Sequence, residues 1–179
     1  EIRNGSTVGL DLTAQNVSGG GKGVVFSRFE QIAIREDDAG APSGIGVRLD
    51  GPDVNGNVNH NVFSGVHVIF YNGFGYKLLN CDTNWFLGCV GKRLTGGTVT
   101  SVEFNGSDTN GLHARRNAFF GFSQDIYDGS GGGVVSRGTG LSFPAVDNIM
   151  YAYTTGNSNP EPTIEAGSTL WYMTDAGAL

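Results

Sequence analysis

The chain has 179 residues with a formal net charge of −6 at pH 7; 30 of the residues are glycine and only 16% are charged. Glycine disfavours helices because it loses the most backbone entropy there, so this composition favours an all-β fold of short strands and turns. The negative charge argues against nucleic acid or an anionic membrane as the partner, since either requires clustered cations. No apolar run approaches the roughly 18 residues of a membrane-spanning helix.

Neither the start of the chain nor its cysteines fixes a cellular compartment. The chain begins at Glu1 without Met or a secretory signal, so we expect it to be a processed piece of a longer parent chain. Cys81 and Cys89 lack the second cysteine pair or the histidines of a zinc site. They are either buried thiols or a disulfide.

Short alternating strands recur along the chain. They read GLDL (9–12), GVRL (46–49), GYKLL (75–79), SVEF (101–104) and, more loosely, GVVS (133–136). Apolar residues alternate with polar ones in the clearer copies, for example Val102 and Phe104 around Glu103. A period of two predicts strands with one buried face and one solvated face.

A second recurring segment is centred on phenylalanine. Its copies are RFEQIAI (28–34), NVFSG (61–65), NWFLG (84–88), NAFFG (117–121) and a looser NIMYAY (148–153). Phe63, Phe86 and Phe119 are 23 and 33 residues apart, which gives a period of about 28. A unit of two or three short strands cannot cover its own apolar face, so the period predicts that successive units stack with like residues over like.

A turn rich in Asp, Asn and Gly links the two segments, as LDGPDVNG (49–56), CDTN (81–84) and FNGSDTNG (104–111). Aligning the copies predicts one column of Asp53, Asp82 and Asp108, and another of Asn55, Asn84 and Asn110. An Asp or Asn side chain can hydrogen-bond its own backbone two residues on, and Gly supplies a positive φ. The repeated turn predicts that each coil of a right-handed parallel β-helix, about five coils tall, rounds the same corner.

In its Gly-rich coils with stacked Asn and stacked Phe, residues 9 to about 153, the sequence resembles the pectate-lyase-like right-handed parallel β-helix superfamily. Within it, the sequence is most similar to phage tailspikes and other viral appendage proteins. The resemblance implies a homotrimer at the virion surface or outside the cell that binds, and often cleaves, surface polysaccharide. The Gly-His-Gly, Asp-Asp and Arg-x-Lys patterns of the pectinases are missing, which lowers the expectation of catalysis.

The tail, residues 157–179, departs from the repeat. Pro160 and Pro162 predict an extended linker, and TLWYM (169–173) predicts an aromatic strand. We therefore divide the chain into a β-helix, 1–156, and a C-terminal capping or inter-subunit strand that leaves the register. The aromatic residues near this end would either contact a partner, in a trimer or in the rest of the parent chain, or cap the end; they are Tyr151, Tyr153, Trp171 and Tyr172.

The aspartate column is the candidate catalytic site. Neighbouring carboxylates in a stacked fold would lie about 5 Å apart, near the separation in retaining glycosidases. Asp82 and Asp108 are the catalytic candidates, with Asp53, Asp125 and Asp128 as further ones. Alternatively, the column holds Ca²⁺, or the aspartates only form hydrogen-bonded turns. The sequence indicates no cofactor apart from this Ca²⁺ alternative.

The candidate binding site is a notch around Trp85. The two long units carry an excursion after the turn, GNVNH (56–60) and GLHARR (111–116), which the middle unit lacks. Sugar rings stack on aromatic rings, and arginine forks hold carboxylates, so the notch fits an acidic glycan. The excursions would place four cationic or titratable residues around the ring, namely His60, His113, Arg115 and Arg116. Alternatively, Trp85 packs beneath the excursions and the histidines hydrogen-bond within turns.

Three functions follow from these readings. The leading one is a glycan-binding or receptor-binding segment of a phage tailspike or surface appendage. The second is an endo-acting polysaccharide hydrolase or lyase, with His113 or Arg116 placing the substrate. The third is a structural stalk or filament subunit without a ligand.

Overall fold

A computed structural model describes residues 2–3, 8–14, 23–35, 44–51, 57–107, 113–126, 133–155 and 161–174. These ranges contain strands and turns but no helix, so the predicted all-β class is confirmed. The strands are β1 (Ile2–Arg3), β2 (Val8–Thr13), β3 (Val24–Val25), β4 (Arg28–Glu30), β5 (Ala33–Arg35), β6 (Gly44–Asp50), β7 (Val58–Asn59), β8 (Val62–Ser64), β9 (His67–Leu79), β10 (Trp85–Leu87), β11 (Val90–Asn105), β12 (Ala118–Phe120), β13 (Ser123–Ile126), β14 (Val134–Ser136), β15 (Asn148–Thr155), β16 (Thr163–Ile164) and β17 (Leu170–Thr174).

All pairs among the described strands are parallel, and most follow three strips. One strip runs β4-β8-β10-β12-β15-β17. A second runs β1-β5-β9-β11-β13-β15, and a third runs β2-β6-β9-β11-β14-β16. The pair β3-β7 begins a fourth strip, which isolated parallel bridges continue through Asp82, Arg115 and Val146. The long strands β9 and β11 take part in two strips, because each continues through a bend. Such parallel sheets are compatible with a parallel β-helix.

The predicted alternation of the third strip is confirmed. Leu49, Leu78 and Phe104 lie in register and are fully buried. The polar residues between the apolar ones also align from strand to strand, as Arg48, Lys77 and Glu103 do. The apolar face of this strip therefore forms one wall of the core.

The predicted phenylalanine column is also confirmed. Phe29, Phe63, Phe86 and Phe119 are in register on the first strip. Their rings stack with centroid separations of 4.9, 4.6 and 4.1 Å and interplanar angles of 11°, 8° and 4°. Met150 continues the column in the next strand. The stack fills the core along the direction in which the repeats succeed one another.

Glycines allow the second and third strips to approach each other closely. Gly46 and Gly75 lie in register on the third strip. A Cβ on Gly46 would lie 2.2 Å from Cγ1 of Val68 and 2.6 Å from the carbonyl oxygen of Gly75. No side chain fits in such a space, so the position requires glycine for steric reasons.

The tail continues the repeat instead of leaving it. The predicted aromatic strand is present as β17, and it pairs in parallel with β15, with Asn148 opposite Leu170 and Met150 opposite Tyr172. β16 likewise pairs with β14. The expectation that the tail breaks the register is therefore wrong. Pro162 precedes β16, so it removes no N–H from either ladder.

Both cysteines are free and buried, so the thiol reading is confirmed and the disulfide reading is wrong. The Sγ atom of Cys81 lies 3.7 Å from Oδ1 of Asn117. Cys89 lies between the strips, with Sγ 3.6 Å from the carbonyl oxygen of Phe63. Burial raises the pKa of both thiols, so neither is a thiolate at neutral pH.

Candidate functional site

The site lies at a corner that precedes the first strip. In each repeat, the residue directly before the strip's leading Asn has a left-handed backbone, at His60, Thr83, Arg116 and Asp147 with φ of 55°, 51°, 51° and 54°. An Asn follows each of them, namely Asn61, Asn84, Asn117 and Asn148. The left-handed residue reverses the chain, and the next side chain turns into the core.

The four asparagines form a buried ladder of hydrogen bonds. Nδ2 of Asn61 donates to Oδ1 of Asn84 at 3.0 Å, Asn84 donates to Asn117 at 2.9 Å, and Asn117 donates to Asn148 at 3.0 Å. Oδ1 of Asn84, Asn117 and Asn148 each also accepts the backbone N–H of the Asn in the preceding repeat, at 3.1 Å. All four side chains are fully buried, so these bonds hold successive corners in register.

The predicted asparagine column is right for Asn84 and wrong for its neighbours. The side chains that flank Asn84 belong to Asn61 and Asn117, whereas Asn55 and Asn110 lie outside the described residues. The error comes from aligning turns by residue type. The two long units carry additional residues between the turn and the corner, which shifts the register.

The same shift changes the aspartate column. Parallel bridges join Asp82 to Asn59 in the preceding repeat and to Arg115 in the following one. The expectation that Asp82 stacks between Asp53 and Asp108 is therefore wrong in register. Asp53 and Asp108 lie outside the described residues, so the catalytic assignment of Asp108 stays a prediction.

Asp82 forms ion pairs with both predicted arginines. Arg116 donates from Nε to Oδ1 of Asp82 at 3.0 Å and from Nη2 to Oδ2 at 2.5 Å. Arg115 donates from Nε to Oδ2 at 3.1 Å. The arginine side chains remain about half exposed, at 47% for Arg115 and 56% for Arg116. The structure therefore brings a predicted catalytic carboxylate and two predicted ligand-binding arginines into one cluster.

Burial alone would raise the pKa of Asp82, but the hydrogen bonds from Arg116 and Thr83 and the charge of Arg115 outweigh it. The net effect lowers the pKa of Asp82 below its ordinary value. In turn, the hydrogen bond to Asp82 raises the pKa of Arg116. Asp82 is consequently an anion at neutral pH and has no proton to donate.

Trp85 lies three residues beyond Asp82, at the start of β10. Its side chain points outward and is 42% exposed. Its in-register neighbours are Val62 and Ala118, and Ala118 follows the Arg115–Arg116 pair by two residues. The indole therefore flanks the ion cluster, on the neighbouring strand. Only 57–60 and 113–116 of the two predicted excursions are described.

His60 also lies at this corner, on the opposite side of the cluster from Arg115. The backbone N–H of His60 donates to the carbonyl oxygen of Thr83 at 2.9 Å. Its exposed ring stacks on Phe26 of the preceding repeat, with centroids 5.1 Å apart. The ring thus belongs to the same edge as Asp82, one repeat earlier.

His113 is held by the following repeat. Its Nδ1 lies 2.6 Å from the carbonyl oxygen of Pro144, and its ring meets Phe143 edge-on at 5.5 Å. A carbonyl oxygen can only accept, so Nδ1 carries the proton. The bond joins two successive repeats, so it is not the hydrogen bond within a turn that the alternative expected.

A second cluster of charges, which the sequence did not predict, lies on the third strip. Glu103 is buried between Lys77, at 3.3 Å, and Arg137, at 2.9 Å. Arg137 also binds Glu165 at 2.6 Å. The alternation of charged and apolar residues predicted that Glu103 points away from the core into solvent. Lys77 and Arg137 instead cover its carboxylate on the outer face of the strip, so solvent does not reach it.

The remaining predictions fall largely on side chains that are not described. Asp125 lies in β13 with its backbone alone described, and Asp128 lies outside the described residues. In the part of the chain that the structure describes, no three His, Cys, Asp or Glu side chains come together as a metal site. The Ca²⁺ alternative, which involves Asp53 and Asp108, stays a prediction.

Comparison of the chain with protein-family models, with curated proteins and with solved structures gave no match in any of the three. The superfamily resemblance therefore rests on the recurring Asn and Phe segments of the sequence alone, and the parallel sheets are compatible with a β-helix. Within the described ranges, no helix has the length and apolar character needed to cross a membrane.

Proposed function

We propose that this chain is a glycan-binding segment of a surface appendage, of the kind found in phage tailspikes, folded as a right-handed parallel β-helix of about five coils. The ligand would be a cell-surface polysaccharide bound at the corner formed by Trp85, Asp82, Arg115 and Arg116. The exposed indole beside a pair of half-exposed arginines is the observation that carries this proposal.

The register of the repeats supports the β-helix. Phe63, Phe86 and Phe119 follow one another in parallel strands, and each connection between them passes through the other strips. Connections between parallel strands of one sheet are right-handed in about 98% of cases. We therefore propose that the connections of this β-helix are right-handed.

The chemistry of the corner suits a sugar. An indole ring stacks on the apolar C–H face of a pyranose, and this contact tolerates many sugars. A guanidinium has five N–H donors. Asp82 accepts one N–H from Arg115 and two from Arg116. Both arginines therefore have further donors to offer to the hydroxyl or carboxylate groups of a glycan.

The same geometry favours binding over cleavage. A glycosidase needs a carboxylic acid that donates a proton and a second carboxylate about 5–9 Å away. The lowered pKa keeps Asp82 ionised, and its in-register neighbours are Asn59 and Arg115. The hydrolase or lyase reading thus draws no support from the described part of the site.

The test is a binding measurement on immobilised acidic and neutral bacterial polysaccharides by biolayer interferometry. We expect Trp85→Ala and Arg116→Gln to weaken binding by at least roughly tenfold. Ile164→Ala and Arg48→Gln are the matched controls, since Ile164 is as exposed as Trp85 and Arg48 pairs with Asp11, but both lie on the third strip, away from the corner.

Chain length of each polysaccharide is measured after incubation with the protein. Binding without shortening supports the proposal. Shortening that is lost in Asp82→Asn would replace it with the enzyme reading, and absence of binding to every polysaccharide would leave the structural stalk. Equal losses in Trp85→Ala and Ile164→Ala would place the glycan elsewhere on the molecule.

A further inference from the structure

We infer that a second site, the outer apolar face of the first strip, binds another copy of this chain. The face consists of Leu87, Phe120, Ile149, Tyr151, Trp171 and Met173. Trp85 begins the column that Ile149 and Trp171 continue, so the face adjoins the proposed glycan corner but does not include Asp82, Arg115 or Arg116.

The parallel register assembles this face. Leu87, Phe120, Tyr151 and Met173 form one column across β10, β12, β15 and β17. Ile149 and Trp171 form a second column beside it. Because side chains alternate along a strand, both columns point away from the core that holds Phe86, Phe119 and Met150.

The exposed area is large for a monomer. The six side chains are 37–71% exposed. Aromatic side chains measure about 150–250 Å², so together the six expose roughly 600 Å², at the upper end of the 300–600 Å² found for the largest patch on monomeric proteins. A specific interface needs about 800 Å² per partner. The face alone therefore supplies most of a stable interface.

The apolar character is specific to this part of the strip. The same outward columns carry Arg28, Glu30, Val62 and Ser64 in the first two repeats, and of these only Val62 is apolar. The outward column of the third strip carries Arg48, Lys77 and Glu103. Outward positions in this fold therefore do not require apolar residues, and the change begins at β10.

The composition of the face favours a protein surface as its occupant. Leu87, Ile149 and Met173 offer no hydrogen bonds to the hydroxyl groups of a glycan, and none of the six side chains is charged. A second copy presents the same uncharged surface, so pairing the two faces removes apolar area from water on both sides without burying a charge. Trp85 would then lie at the rim of the interface, open to its ligand.

The test is sedimentation velocity over a range of concentrations of the full chain. We expect the wild type to form an assembly whose mass is a multiple of the monomer. Phe120→Glu and Tyr151→Glu each place a charge in the face, so each should raise the concentration at half-association by at least roughly 30-fold. Val25→Glu, on β3 and 39% exposed, is the matched control and should assemble like the wild type.

Circular dichroism of each variant reports whether it folds. If Phe120→Glu does not fold, Tyr151→Ser and Met173→Ser remove apolar area without adding charge, and each should still shift half-association by roughly fivefold. A wild type that stays monomeric at every concentration, folded face variants that assemble normally, or a Val25→Glu defect as large as theirs would each overturn the inference. Binding of the wild-type monomer to neutral lipid vesicles would assign the face to lipid instead.

Discussion

Arg116 donates two hydrogen bonds to the carboxylate of Asp82 in the preceding repeat, from Nε to Oδ1 at 3.0 Å and from Nη2 to Oδ2 at 2.5 Å. The two residues are 34 positions apart in the chain, and only the parallel register brings them together. Arg115 adds a third hydrogen bond to the same carboxylate. One anion thus links the corners of two successive repeats.

Asp82→Asn removes the charge that Arg115 and Arg116 bind, so it should lower the free energy of unfolding at pH 7. The loss should be only about 1 kcal/mol, because both arginines are about half exposed and solvent screens the ion pairs. The pKa of Asp82 is lowered in the folded state, so its contribution is present above the unfolded value of 3.8 and is lost as the pH falls through the folded value. Urea denaturation between pH 7 and pH 3 measures both effects.

The control for Asp82→Asn is Glu30→Gln. Glu30 pairs with Arg28 at 2.5 Å, but both side chains are mostly exposed and both lie on one strand. Glu30→Gln should therefore lower the free energy of unfolding by well under about 1 kcal/mol, as expected for an ion pair on the protein surface. A wild-type advantage over Asp82→Asn that grows below pH 4 would contradict the ionised state of Asp82.

Asn84→Ala should lower the free energy of unfolding by at least about 3 kcal/mol, because it leaves the buried backbone N–H of Asn61 without its acceptor and removes one of the two N–H donors to Oδ1 of Asn117. Chemical denaturation followed by circular dichroism measures this loss.

Ser27→Asn is the converse experiment on the same ladder. Ser27 holds the ladder position in the first repeat, and its backbone N–H already donates to Oδ1 of Asn61 at 3.0 Å. An Asn there would extend the ladder and should leave stability unchanged or raise it by about 1 kcal/mol. If Ser27→Asn and Asn84→Ala destabilise the protein equally, the ladder is not the source of the effect.

Gly46→Ala should lower the free energy of unfolding by about 2–3 kcal/mol, because its Cβ would overlap Val68 and the carbonyl oxygen of Gly75. Gly133 is the matched control, since it lies in the same column and a Cβ there would meet nothing within 4 Å. Gly133→Ala should change stability by less than about 0.5 kcal/mol. Thermal melts of the two variants measure this difference. Similar melting temperatures for Gly46→Ala and Gly133→Ala would contradict the close approach of the second and third strips at Gly46.

Cys81 and Cys89 should react with an aromatic disulfide reagent at pH 8 at least roughly 100-fold more slowly in the native protein than in urea. Burial raises the pKa of both thiols and blocks access to them. Absorbance of the released thiolate measures the rate. Fast labelling of one native equivalent would show that one of the two sites opens to solvent.

The repeat itself was predictable because its strongest signals are steric. Phe63, Phe86 and Phe119 must all enter the core, and their spacing indicated the stacked strands directly. The asparagine two residues before each Phe follows the same spacing, but the predicted column used the turn residues Asn55 and Asn110 in place of Asn61 and Asn117. Counting three residues back from each Phe would also have found the left-handed corner at His60, Thr83 and Arg116.

The register of the aspartates could not be found by residue type. Turns tolerate insertions, so similar turn sequences do not fix which residues face each other, whereas buried side chains do. As a result Asp82 pairs with Arg116 and not with another aspartate. Of the outer apolar face, the sequence pointed to Tyr151 and Trp171 but not to the part on β10 and β12. A strand of three residues is too short to show alternation, as in the adjacent Phe119 and Phe120, of which only the first is buried.

Successive asparagines of the ladder are 23, 33 and 31 residues apart, although the corner and the phenylalanine strand that follows keep one geometry throughout. Length differences are therefore absorbed between these fixed points. Grafting into such stretches would therefore change what the molecule displays while its framework stays the same, and a peptide of choice would be presented at a known repeat.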